Sequence, residues 1–177
     1  MTLETWNTFF AGVTLIVITT TAIIAIVQLR HLHDGNQLQG VLTVLDLLQD
    51  PGNRELLNFV RRDLRRAMGD PDFVAGLREV PIDRAKHPEL YVCQLYEHIA
   101  SYVRSGLIAE ATFMQADWYD VSLYWAMLEP VIRVSREAPP PRPFIFENFE
   151  WLAAKAQRWI EKHPQGNYPK DVPRMIG

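Results

Sequence analysis

FFAGVTLIVITTTAIIAIV, residues Phe9–Val27, decides how the rest of the chain is read. It lies inside a longer uncharged run, Thr5–Leu29, of 25 residues. As a helix rising about 1.5 Å per residue, that run reaches about 37 Å, against a hydrocarbon thickness of about 30 Å. The run is therefore expected to cross a membrane with some tilt. A cleaved secretory signal would carry positive charge ahead of the apolar run and a small-residue cleavage site behind it. The flank MTLETWN has neither Lys nor Arg, and the exit AIVQLRHLH offers no such site, so a retained anchor is expected. The competing reading is a buried helix of a soluble protein. Its weakness is the length of the run without a charge.

Orientation follows from the flanks. Arg30, His31 and His33 come directly after the span, and Arg54, Arg61, Arg62, Arg65 and Arg66 follow. The positive-inside bias places this side in the cytoplasm and the N-terminus outside, with Trp6 suited to the outer interface.

The span also carries polar residues in register. Counting in sevens gives Asn7, Thr14, Thr21 and Gln28, with Ala11, Ile18 and Ala25 on the same side of the helix. A straight helix drifts by about 20° per heptad, so an aligned stripe favours slight left-handed supercoiling against copies of itself. A Thr hydroxyl can bond back to its own helix at i−4, which Asn7 and Gln28 do less easily. Three readings stand open: a packing seam between spans, a pore lining in a homo-oligomer, and chance. The first two require self-association. In the pore reading Asn7, Thr14, Ile18, Thr21, Ala25 and Gln28 face the axis, and apolar rings gate by dewetting.

Beyond the span the pattern stays helical. HDGNQLQGVLTVLDLLQD (His33–Asp50) carries an apolar stripe that stops at Asp50-Pro51-Gly52, and the sequence leaves open a break at Asp34-Gly35. RELLNFVRRDLRRAMGD reads as one helix with Leu57, Val60, Leu64 and Ala67 inward, closed by Gly69. PELYVCQLYEHIASYVRSGLI buries Val92, Leu95, Ile99 and one of Tyr102 or Val103, with Gly106 as its cap. ADWYDVSLYWAMLEPVIRVSRE follows, with Pro130 able to kink or restart it. APPPRP is a stiff connector, and FENFEWLAAKAQRWIEK buries Phe149, Leu152, Ala153, Ala156 and Ile160. No stretch alternates as a half-buried strand does. The expected fold is all-α: a single N-terminal transmembrane helix (1–33), a cytoplasmic helical bundle (34–163) and a tail (164–177).

The chemistry is sparse. One cysteine, Cys93, excludes an internal disulfide and leaves no thiol cluster for zinc. His31 and His33 point about 160° apart on a helix, so no metal pair forms. There is no Gly-rich phosphate loop, no HExxH and no nucleophile elbow. Glu97-His98 and Asp117/Asp120 are the only acid–base candidates, and such carboxylates are more often surface or capping groups. No enzyme activity and no cofactor are expected.

The net charge of −3 gives no global field for nucleic acid, so an anion site must come from local clustering. Arg61, Arg62, Arg65 and Arg66 pair at i,i+4. They suit a solvated helix face, anionic lipid headgroups, or a phosphate-bearing ligand or acidic protein read through Arg forks. A perpendicular helix over residues 30 to 50 would set them about 30 Å from the bilayer, beyond a Debye length of about 8 Å, and so favour the last of these. Lys86, His87, Arg104, Arg133 and Arg136 are further candidates for the same ligand, with no relative placement given by the sequence.

TAIIAIVQLRHLHDGNQLQG, YEHIASYVRSGLI, YWAMLEPVIRVSREA and FENFEWLAAKA together resemble an uncharacterised bacterial family of small single-span proteins with a cytoplasmic helical domain. The likeness covers almost the whole chain and implies topology and a bacterial inner-membrane location. In general plan the chain also resembles the membrane effectors of Hailong anti-phage systems, oligomeric ion channels held closed by a DNA oligomer. That likeness is one of kind, with no ligand-binding residue matched. It implies a homo-oligomeric channel in membrane lipid, gated by a nucleotide or DNA-oligomer ligand. The alternative is a non-conducting tether that recruits a cytoplasmic partner.

Overall fold

The computed structural model describes residues 3–169 and 171–175, and their side chains except those of residues 3–5, 7–9, 33, 34 and 38. All regular structure among the described residues is helical, with no strand, so the fold is all-α as expected. Seven helices follow in order: α1 (Leu3–Gln49), α2 (Pro51–Arg62), α3 (Leu64–Ala67), α4 (Pro71–Gly76), α5 (Glu89–Arg104), α6 (Glu110–Glu137) and α7 (Glu147–Lys162). The chain forms two compact units, Met1–Gln39 and Gly40–Gly177.

The first unit is helix throughout its described length, and the helix runs through Asp34-Gly35 without a break. It is long and apolar enough to cross a membrane, and none of its most apolar stretch is buried. Leu15, Ile16 and Leu29 are each about two-thirds exposed (66%, 67% and 65%). So much exposed apolar surface is rare on soluble monomers.

In the second unit the end of α1 joins a helical core. Val44 is buried, with Val41 and Leu48 packed against the same cluster. Gly40 allows a close approach here: a Cβ on it would stand 2.9 Å from Ile108 Cγ1 and 3.2 Å from the Leu107 carbonyl. Asp50-Pro51 both ends α1 and starts α2. The Asp50 carboxylate accepts the Asn53 N–H at 3.1 Å, Pro51 takes the first helical position, and Asn53 Nδ2 donates back to the Leu47 carbonyl at 2.8 Å.

The single helix expected over Arg54–Asp70 is divided at Asp63. Aspartate is a poor helix-interior residue. Here its N–H closes α2 on the Phe59 carbonyl and α3 begins behind it, with Leu57, Val60 and Leu64 all buried. α6 runs through Pro130, which sits on the exposed side. Proline there removes one hydrogen bond, to the Ala126 carbonyl, and water can replace it on that side.

α5 is the centre of the bundle, packed against α2, α6 and α7. It buries Val92, Cys93, Tyr96, Ile99 and Val103, while Tyr102 faces out and Leu95 is half-buried. Tyr96 stacks on Phe149 of α7 at 4.9 Å and leans on Tyr124 of α6 at 5.4 Å, and Trp125 meets Phe149 edge-on at 5.1 Å. These rings tie three helices together in the geometries aromatic pairs prefer. α7 buries Phe149, Leu152, Ala153 and Ala156, but Ile160 near its end is only half-buried. Gly106, with φ of 77°, takes the left-handed position after α5, and a side chain there would be strained.

Candidate functional site

Three groups of residues carry functional expectations: the polar stripe of α1, the arginines, and the lone carboxylates. Along the stripe, Thr14 Oγ1 donates to the Phe10 carbonyl and Thr21 Oγ1 to the Val17 carbonyl, each at 2.8 Å, as Thr19 does to Leu15. These hydroxyls are satisfied within their own helix and can face lipid without a partner. Ile18, Ala25 and Gln28 are exposed along the same helix. The Asn7 side chain lies outside the described residues.

The arginines of the quartet are divided between α2 and α3 and differ in their partners. Arg61 on α2 reaches Asp120 of α6 at 3.1 Å and lies 5.0 Å from the centre of the Tyr124 ring. Arg66 on α3 turns to Asp63 at 3.0 Å, and Arg62 and Arg65 are exposed. Lys86 pairs loosely with Asp83 at 3.7 Å before α5 begins. Arg104, in the last turn of α5, donates to Asn148 Oδ1 at 2.7 Å and stands 3.7 Å from Glu147. A helix of 16 residues, about 24 Å, separates Lys86 from Arg104. The structure thus brings together Arg61 with Arg54, which line a small hollow of about 220 Å³ with Asn58, Asp120 and Tyr124. It does not bring Lys86 and Arg104 to one ligand.

The carboxylates have structural partners. Glu97 projects from α5 to the start of α7, where Oε2 accepts the Phe149 N–H at 2.8 Å and Oε1 accepts Asn148 Nδ2 at 2.7 Å and the Asn148 N–H at 3.3 Å. It caps a helix that lacks a capping side chain of its own, since Phe146 holds the cap position. His98 contacts the Gln94 amide at 2.8 Å, one turn away. Asp120 is held by Arg61. Glu97, His98 and Asp120 therefore do not converge on one cleft.

Asp117 differs. Burial, and then the neighbouring Asp120 charge, push its carboxyl from the usual range up to about 7. Its Oδ2 is enclosed with no hydrogen-bond partner among the described residues.

Sequence reasoning overlooked a buried pair. His87 Nδ1 lies 2.9 Å from Glu89 Oε1, both are essentially unexposed, and the His87 ring packs on Phe73 at 4.5 Å. Burial raises the Glu89 carboxyl. Gly76 abuts this ring: a Cβ there would be 2.6 Å from His87 Nε2. The short spacing His87-Pro88-Glu89 was the available signal, a histidine and an acid flanking the start of a helix. Burial of both could not be read from it.

Neither a curated protein nor a solved structure matches the chain. A family model described as a domain of unknown function, DUF4760, matches residues 15–159, from within the apolar run of α1 to the last turn of α7. The match covers most of the span and nearly the whole helical bundle, so the chain belongs to the DUF4760 family.

Proposed function

We propose that this is a bacterial inner-membrane protein anchored by α1, with its N-terminus outside and Gly40–Gly177 in the cytoplasm as a ligand-responsive helical domain. The carrying observation is the uncharged, mostly apolar run within α1: no charge from Thr5 to Leu29 and no burial of its most apolar stretch. Water would penalise that surface heavily, at roughly 25 cal/mol per Å². The cations that follow it support the orientation.

Self-association through the stripe of Asn7, Thr14, Thr21 and Gln28 extends this reading. In its full form the associated spans conduct ions and the cytoplasmic domain controls them, switched by an anionic ligand such as a nucleotide or a DNA oligomer. The general likeness to anti-phage channel effectors supports a role in defence. With no acidic residue among Thr5–Leu29, such a path would select ions weakly.

The second reading is a non-conducting tether that recruits a cytoplasmic partner. The i−4 hydrogen bonds of Thr14 and Thr21 favour it, because they relieve those two hydroxyls of any need for polar neighbours.

Membrane floatation of the full chain tests the anchor, and recovery in the aqueous fraction without detergent overturns it. Single-channel recording in planar bilayers then separates the two readings. Discrete currents changed by Thr14→Leu and Thr21→Leu support conduction. Silence in every anion tried, with both variants harmless in cells, leaves the tether.

A further inference from the structure

The second unit contains a larger cavity than the arginine hollow, about 520 Å³, between the segment leading into α5 and the connector from α6 to α7. That volume is in the range of small-molecule sites. Its walls are chiefly apolar, from Pro81, Ile82 and Leu90 on one side and Phe144, Ile145 and Phe146 on the other. The polar groups are few: Arg84, Gln94, Glu97, Ser135 and Arg142.

Their states decide what the cavity would accept. Glu97 is taken up by the N-terminus of α7, so its charge is already answered by backbone N–H groups. Ser135 Oγ donates to the Val131 carbonyl, and its own carbonyl receives Arg142 Nη2 at 3.3 Å. No carboxylate lies within 4.0 Å of Arg142 or Arg84 among the described residues. Arg142 Nε has no acceptor among the described residues, and because it is enclosed a ligand oxygen meets it only when the guanidinium turns toward the cavity. Unmet guanidinium donors are costly, and a carboxylate or phosphate oxygen is their best match. Phe146, which also lines the cavity, has a φ of 57°, the only positive value at a non-glycine residue among those described. Such strain concentrates where a ligand is held.

We infer that this cavity binds a small organic anion, a carboxylate or phosphate head on an apolar body, with the head at Arg142 and Arg84 and the body against Pro81, Ile82, Leu90 and Phe146. This deepens the ligand-sensing part of the proposed function, and it moves the ligand from the exposed arginines of α2 and α3 into the bundle. A ligand here would touch α5, the last turn of α6 and the connector into α7 at once. It would therefore bear directly on how those helices pack.

The test uses the full chain in lipid nanodiscs, with 1-naphthoate as the probe, its uncharged amide 1-naphthamide and inorganic phosphate as comparisons, and empty nanodiscs as the blank. Titration calorimetry should show saturable binding of naphthoate, with naphthamide and phosphate each weaker by about tenfold or more, as the loss of a charge-assisted contact or of the apolar contacts implies. Arg142→Gln should weaken naphthoate by a similar factor. Because Arg142 also holds the Ser135 carbonyl, Arg84→Gln, at an exposed position, provides the deciding result should the first variant fail to fold. Its affinity should drop severalfold. Equal binding of naphthoate and naphthamide, unchanged affinity in the variant that folds, or no heat above the blank overturns the inference. Native mass spectrometry of the same nanodiscs reads association separately: a monomer that binds naphthoate counts against the oligomeric effector only, and an oligomer that does not bind counts against this site only.

Discussion

Glu97 of α5 accepts the backbone N–H of Phe149 at 2.8 Å and so caps α7 from a different helix. Glu97, one of the acid–base candidates of the sequence, holds two elements of the bundle in register. Replacing it by alanine strips a charge-assisted acceptor from buried donors. Glu97→Ala should lower unfolding stability by about 2 kcal/mol, and Glu97→Gln by less, since the amide keeps one acceptor oxygen. Thermal unfolding followed by circular dichroism measures both. Equal stability of Glu97→Ala and the parent would mean the cap contributes nothing.

Asp117 makes stability depend on pH. Its folded value is raised to about 7 from an ordinary 3.8. As pH rises between those values, the unfolded chain releases this proton while the folded chain retains it. The contribution is thus whole below about 4 and gone above about 7. Asp117→Asn should flatten the decline across that window and be more stable than the parent at pH 8, by on the order of 1 kcal/mol. Urea titrations at pH 5 and pH 8 decide it, and a variant with the parent's pH slope refutes the assignment.

Gly76 should tolerate no side chain. Gly76→Ala drives a methyl against His87, whose ring is fixed by Glu89 and Phe73, and such overpacking costs about 1–3 kcal/mol. Adding His87→Ala opens the space, so the double variant should be little worse than His87→Ala alone. Additive losses would place the clash elsewhere.

In α1, Thr14→Val and Thr21→Val remove hydroxyls that are already satisfied by their own helix, and membrane insertion should be unaffected. Ile18→Arg, near the middle of the uncharged run, should impair insertion by about 2.5–3.5 kcal/mol. A glycosylation-based insertion assay compares them. Efficient insertion of Ile18→Arg would count against the span.

The helical architecture was legible because its signals are local. Twenty-five uncharged residues, a 3.6-residue apolar period and a glycine at position 106 each act within a few turns of chain. The division at Asp63 was missed because an arginine-rich amphipathic stretch reads the same on either side of it. The site was less legible for a physical reason: its interactions join distant residues. Arg61 meets Asp120 across 59 positions and Glu97 meets Phe149 across 52, and neither separation leaves a periodic trace. Arg142 sits in a proline-rich connector, where no helical face suggests what it would point toward.

Cys93 carries the chain's single sulfhydryl, fully enclosed in α5 and pushed by burial well above the ordinary range of a thiol. An alkylating reagent can consume it only when the bundle opens around it, so the molecule contains its own clock. The labelling rate of the native chain would report how often the core breathes, without a fluorophore or an added tag, and whether a bound anion slows it.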